Sequence, residues 1–251
     1  MFAVMDDVLQ EKLTLCKLAG INKCYERLLQ GAETQKWSYD QFFNALLDEE
    51  LTSRENNRFT RLCKKADFPT LKTMDEFNFL EAPFIPKDKI VKLMDCSFIE
   101  EHTNLILVGG SGVGKTHLST AIGVEACKHG FSVAFFTAAS LGNKLVEMQE
   151  SMALSRFIEK LKKIDLMIID ELGYVELSAD TTQLMFQIFS ERYEKGSIIV
   201  TTNLEFKEWT KVFHDERMTT AIIDRLIHNS KIIMCNGPSY RYKQKIQMPE
   251  Q

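Results

Sequence analysis

No Cys-x-x-Cys pair occurs in this 251-residue sequence, and its six cysteines, Cys16, Cys24, Cys63, Cys96, Cys127 and Cys235, show no zinc-type spacing. That excludes the common structural zinc clusters and leaves buried free thiols as the expectation. The five histidines, His102, His117, His129, His214 and His228, also lack ligand spacing. Proline (5) and glycine (12) are too sparse for a collagen-like or low-complexity chain, and no internal repeat is visible. No apolar run approaches the roughly 20 residues that cross a bilayer. The opening MFAVMDDVLQ lacks the cationic flank of a secretory leader, so a cytoplasmic protein without membrane contact is expected. Positive charge is not in excess either. A formal net charge of −4 excludes a uniformly basic nucleic-acid binder and leaves local patches open.

What is present suits a globular domain with a real core: 45% hydrophobic and 26% charged residues. The first third reads as helix. Helical patterns run around Val8 to Leu18 and Ile21 to Leu29, separated by Gly20. A capping box, Ser38 with Gln41, then opens a long element in which Phe42, Phe43, Leu46, Leu47 and Leu51 recur at helical spacing, and Pro69 ends it. From about Leu105 the pattern changes to short apolar runs, NLILVG, FSVAFF, DLMIID, SIIVTT and KIIMC, alternating with amphipathic stretches. Apolar throughout, these predict buried strands of a parallel sheet with crossover helices. Residues 70–103 read as a connecting segment folded onto the sheet. The expected division is a small helical N-terminal domain, 1–69, and an α/β domain, 70–251.

Gly109-Gly110-Ser111-Gly112-Val113-Gly114-Lys115-Thr116 fits the phosphate-loop pattern G-x-x-x-x-G-K-[ST], placed between a strand and a helix that begins with His117. Glycines let successive N–H groups turn inward on phosphate oxygens, and the helix start adds its positive end. Lys115 is positioned to reach the β- and γ-phosphates and Thr116 to ligate Mg2+. Asp170 and Glu171 close the strand DLMIID, where ligand crevices of parallel sheets lie. Asp170 would hold the metal through water, and Glu171 would deprotonate the attacking water. Strand-end acids also serve as helix caps; coupling to a phosphate loop favours the catalytic role. Asn203, just after SIIVTT, is either a turn former or a group that positions the lytic water or senses the γ-phosphate.

A third feature is charge. Arg54, Arg58, Arg61, Lys64, Lys65 and Lys72 stand against Glu55 and Asp67, six cations against two anions and a net of +4. Arg54, Arg58, Arg61 and Lys65 share one helical face, a phosphate-tracking stripe or a solvated surface.

Phosphate loop, acid pair and polar strand-end residue in this order resemble the AAA+ ATPases. IIDELGYVELSAD, IIVTTNLEFKEW, TTAIIDRLIHNS and GPSYRYK resemble the insertion-sequence transposition helpers of the IstB type, related to DnaC-type helicase loaders. The resemblance implies a P-loop NTPase fold with a five-stranded parallel sheet, the strand of Asn203 lying between the phosphate-loop and Asp-Glu strands. It implies ATP and Mg2+, bound at the boundary between subunits of an oligomer. Arg225 then matches the arginine finger acting on a neighbour's ATP, with Arg217 as the competitor, and Arg241 matches a further family position. The implied activity is ATP hydrolysis to ADP and phosphate by a helper that oligomerises on double-stranded DNA and recruits a transposase. The alternative partner is a replicative helicase. A small-molecule kinase would use the same loop, but needs an acceptor pocket in place of an Asp-Glu pair awaiting water.

Overall fold

A computed structural model describes residues 5–240; Arg241, singled out above, lies outside them. The chain forms two compact units, Met1–Arg61 and Leu62–Gln251. The division falls inside a helix and ahead of Pro69, where the sequence suggests a boundary.

The first unit contains α1 (Asp7–Leu15), α2 (Ala19–Gln35) and most of α3 (Tyr39–Ala66). Its core is Leu13, Ile21, Cys24, Leu28 and Leu46, with Phe42 set edge-on to Tyr25 at 5.9 Å between ring centres. The expected capping box opens α3: Gln41 N–H donates to Ser38 Oγ (3.2 Å), and Ser38 N–H to Gln41 Oε1 (2.8 Å). Leu18, at the start of α2, has no side chain that can cap it. A buried carboxylate from α3 does this instead: Glu50 Oε2 accepts from Gly20 N (2.6 Å) and Ile21 N (3.2 Å), and Arg54 Nε grips Glu50 Oε1 at 2.7 Å. Burial alone raises the carboxyl's pKa, but the bonds from Arg54, Ile21 and Gly20 outweigh it and hold Glu50 below the usual range. Gly20 is required by the packing: a Cβ there would lie 2.7 Å from the Glu50 Cα.

The second unit continues through α4 (Lys87–Lys92), α5 (Ser97–Glu100), β1 (Asn104–Val108), α6 (Lys115–Lys128), β2 (Val133–Thr137), α7 (Ala138–Glu150), α8 (Leu154–Lys162), β3 (Leu166–Leu172), α9 (Ala179–Arg192), β4 (Ser197–Thr202), α10 (Thr210–Phe213), α11 (Glu216–Ile227) and β5 (Ser230–Met234). All five apolar runs are strands of one parallel sheet in the order β2-β3-β4-β1-β5, so β4 lies between β1 and β3 as expected. Ile106, Met167, Ile169, Ile198 and Val200 face a core built with α7, α8, α9 and α11. Ile168, pointing the other way, meets α6 at Gly123. Both faces of the central strands are thus covered, which explains their unbroken hydrophobicity. At the lower edge, the buried Arg192 guanidinium donates to the carbonyls of Leu161, Ile164, Asp165 and Ser197. Burial pulls its pKa down to about 10. All six cysteines are free, and Cys16 alone among them is exposed. Among the described residues no helix is long and apolar enough to cross a membrane.

Candidate functional site

Parallel strands deliver their C-terminal ends to one edge, and there the loop after β1, the acids of β3 and the polar end of β4 meet. The phosphate loop is locally dictated. Gly112 (φ 76°) and Gly114 (φ 102°) occupy the left-handed region that side chains disfavour. Gly109 donates to Thr202 O at 3.0 Å and is crowded by Cys235, whose carbonyl oxygen a Cβ would strike. Tyr240 N–H donates to Gly112 O (2.9 Å), so the segment after β5 is tied to the loop.

Lys115 opens α6 and is 6% exposed. Its Nζ donates to the carbonyls of Gly109 and Gly110, both at 2.7 Å, and so arches over its own loop. Close by, burial raises the Cys235 thiol pKa to about 11, with Lys115 pulling the other way. Thr116 Oγ1 lies 2.9 and 3.2 Å from the two carboxylate oxygens of Asp170, which is 2% exposed. Thr201 Oγ1 donates to the same carboxylate at 2.6 Å. Glu171 is exposed and has φ 61°, and its N–H donates to Thr201 Oγ1 at 3.0 Å. Asn203 is exposed just beyond β4, beside Gly173, where a Cβ would lie 3.0 Å from Asn203 Oδ1.

A cavity of about 550 Å³ opens over this edge, lined by Ser111 to His117, Glu171 and Thr201. Its opposite wall includes Lys72, Phe77 and Asn78, from the segment that sequence alone marks only as a connection. The Phe77 ring approaches Gly114, where a Cβ would meet it at 2.8 Å, and stands edge-on to His117 at 5.2 Å. His117 Nε2–H donates to Thr73 O (3.0 Å), fastening this wall to the start of α6. The aromatic pair Phe77 and Phe79 was the available signal for that wall. Thr201 was also missed as a site residue, since its role is a cross-strand contact.

The remaining expected residues lie elsewhere. Arg225, half-buried on α11, donates from Nη1 to Ala221 O (2.9 Å) and stacks over Phe186 at 4.8 Å. Arg217 is exposed at the start of that helix. Among the described residues neither lines the cavity. All of the cationic stripe, Arg54, Arg58, Arg61, Lys64 and Lys65, is exposed on α3, and Arg54 is in addition paired with Glu50.

A parallel five-stranded sheet in this order, with a glycine loop and lysine after one strand and an acid pair two strands away, defines a P-loop nucleotide-binding protein of the AAA+ class. Solved structures agree on the fold. AMPPCP-bound DnaA from Aquifex aeolicus superposes with a TM-score of 0.57 at 21% identity, covering 71% of this chain and 54% of that one. DnaI gives 0.52 at 19% identity, covering 67% and 89%. The chain belongs to the family of IstB-like ATP binding proteins, whose family model matches residues 11–248. The insertion sequence IS21 ATP-binding protein of Pseudomonas aeruginosa is 34% identical over 237 residues, 94% of this chain and 89% of that protein. The IS232 ATP-binding protein of Bacillus thuringiensis is 38% identical over 198 residues, 79% of each chain.

Proposed function

We propose that this protein is an ATP-hydrolysing transposition helper that assembles on double-stranded DNA in its ATP state, recruits a transposase, and is reset by hydrolysis. The observation that carries the reading is the convergence of Lys115, Thr116 and Glu171 on one cavity at the strand ends, with the buried Asp170 carboxylate bonded to the Thr116 hydroxyl. Loop N–H groups and the start of α6 suit a triphosphate. On binding, Lys115 exchanges the Gly109 and Gly110 carbonyls for phosphate oxygens. The hydroxyl of Thr116 beside the buried carboxylate of Asp170 is a hard, all-oxygen donor pair that suits Mg2+, and no cluster of three or more His, Cys, Asp or Glu competes for a softer metal among the described residues. Held by Thr116 and Asp170, Mg2+ would supply neutralisation of the triphosphate's negative charge.

Glu171 is the general base. It takes a proton from water as the water oxygen bonds to the γ-phosphorus and the bond to the β–γ bridging oxygen breaks, leaving ADP and inorganic phosphate. Asn203 orients that water or reads the γ-phosphate. Arg225 of an adjacent subunit, or Arg217, completes the charge stabilisation, since neither serves its own cavity. The exposed Arg58, Arg61, Lys64 and Lys65 support contact with DNA phosphates rather than bases. A helicase-loader role draws support from fold likeness alone, whereas the relatives at 34–38% identity are insertion-sequence proteins.

Sedimentation with duplex DNA and a non-hydrolysable ATP analogue tests the assembly. The expected result is an oligomer that forms only with both ligands. A monomer at saturating analogue and DNA overturns the reading.

A further inference from the structure

Thr201 is the last residue but one of β4 and is 1% exposed, yet it carries a hydroxyl into the catalytic edge of the sheet. A threonine hydroxyl has one proton and two lone pairs. Here the proton goes to Asp170 Oδ1 (2.6 Å), and a lone pair receives the N–H of Glu171 (3.0 Å). The direction is fixed by chemistry: an ionised carboxylate only accepts and an amide N–H only donates. One oxygen atom therefore touches both members of the acid pair.

The surrounding backbone explains why such a bridge is needed. The register between β3 and β4 shifts between Ile169 and Leu172, and neither Asp170 nor Glu171 has a register partner on β4. Glu171 sits at φ 61°, a left-handed conformation that is unfavourable for a residue with a side chain and persists only where neighbours impose it. The Thr201 hydroxyl replaces the missing ladder bond at that point. Thr116 also reaches Asp170, but it belongs to the phosphate loop; Thr201 belongs to β4, two residues ahead of Asn203, which lies just beyond that strand.

We propose that Thr201 is a positioning residue for ATP hydrolysis, whose single hydroxyl locks the Asp170 carboxylate and the Glu171 backbone into one unit and couples the end of β4 to the general base. The inference rests on the ATPase reading above. When Asn203 engages the γ-phosphate, movement at the end of β4 passes through this hydroxyl to the residue that activates water. Binding of ATP does not require the bridge; turnover does.

The test compares Thr201→Val, which keeps shape and removes the hydroxyl, with Thr201→Ser, which keeps the hydroxyl. Thr201→Ala, which adds no methyl beside the carboxylate, gives the same readout where valine does not fold. In the full chain, with melting temperature and ATP-analogue affinity measured alongside, the hydroxyl-less variant is expected to lose about 10- to 100-fold in kcat, with Kd changed less than about threefold. Thr201→Ser should keep kcat within about threefold of the unsubstituted protein. Added to Glu171→Gln, the same substitution should change residual turnover by less than about twofold, because the residue acts through Glu171. Unchanged kcat in a folded hydroxyl-less variant, equal losses with serine, or an affinity loss matching the kcat loss each overturns the inference. Absence of hydrolysis in the unsubstituted protein overturns the ATPase reading instead, so the two failures are distinct.

Discussion

Replacing Lys115 by alanine tests the site at its most sensitive point. The ammonium already has two acceptors within its own loop, the carbonyls of Gly109 and Gly110 at 2.7 Å. ATP binding therefore gains only the difference between neutral and charged acceptors, roughly 1 to 1.5 kcal/mol per bond and about 2 to 3 kcal/mol for two. That corresponds to an affinity loss of about 30- to 150-fold. The loss is readable as stability. At a ligand concentration of about 100 times its Kd, the unsubstituted protein gains about 2.7 kcal/mol from mass action, whereas a variant bound about 100-fold more weakly gains about 0.4 kcal/mol. Thermal melts with and without ATP and Mg2+, alongside titration with a fluorescent analogue, measure both. The unliganded melting temperature should move little, because water at the cavity replaces the ammonium on the two carbonyls. Lys115→Ala that keeps affinity within about threefold refutes the placement of phosphate over this loop.

Glu171→Gln should retain ATP binding while turnover falls by roughly 100-fold or more, leaving a long-lived assembled form on DNA; single-turnover phosphate release checks this, and unchanged hydrolysis removes Glu171 as the base. Arg58→Glu with Arg61→Glu should weaken duplex binding and flatten its dependence on salt, measured by fluorescence anisotropy across a salt series; survival of both in a folded variant places the DNA elsewhere. Glu50 gives a pH signature. Its folded carboxyl lies below the usual range, so its contribution is complete above the unfolded value near ~4.3 and disappears as pH falls through the lower folded value. Glu50→Gln should melt earlier at pH 7 and decline less steeply between about pH 5 and 3; parallel acid profiles from circular dichroism contradict the clamp.

Contiguous signals were legible in the sequence. Five buried strands show as unbroken apolar runs because both sheet faces are covered, and the loop from Gly109 to Thr116 is a local motif whose neighbours in sequence are its neighbours in space. Contacts across distance were not legible. Glu50 caps α2 from 30 residues away, where no rule of helix termini looks. Thr201 reaches Asp170 and Glu171 only because β4 lies beside β3 and the register shifts there. Phe77 gains its meaning from a wall 37 residues ahead of Gly114 in the chain. Helical periodicity in α3 also left an ambiguity: Phe42 and Leu46 enter the core, whereas Phe43, Leu47 and Leu51, apolar at the same spacing, are exposed. Two adjacent stripes with one period cannot be told apart until a partner helix chooses between them.

That uncovered stripe shares a helix with the cations. Tyr39, Phe43, Leu47 and Leu51 lie along the first half of α3, and Arg58, Arg61, Lys64 and Lys65 along the second. Dilute buffer favours the ionic half by leaving charge unscreened, and concentrated sulfate favours the greasy half by driving apolar surface together. Intermediate ionic strength is therefore expected to give the least scattering in a salt series, with loss of that minimum in a variant carrying Phe43→Ser and Leu47→Ser contradicting the reasoning.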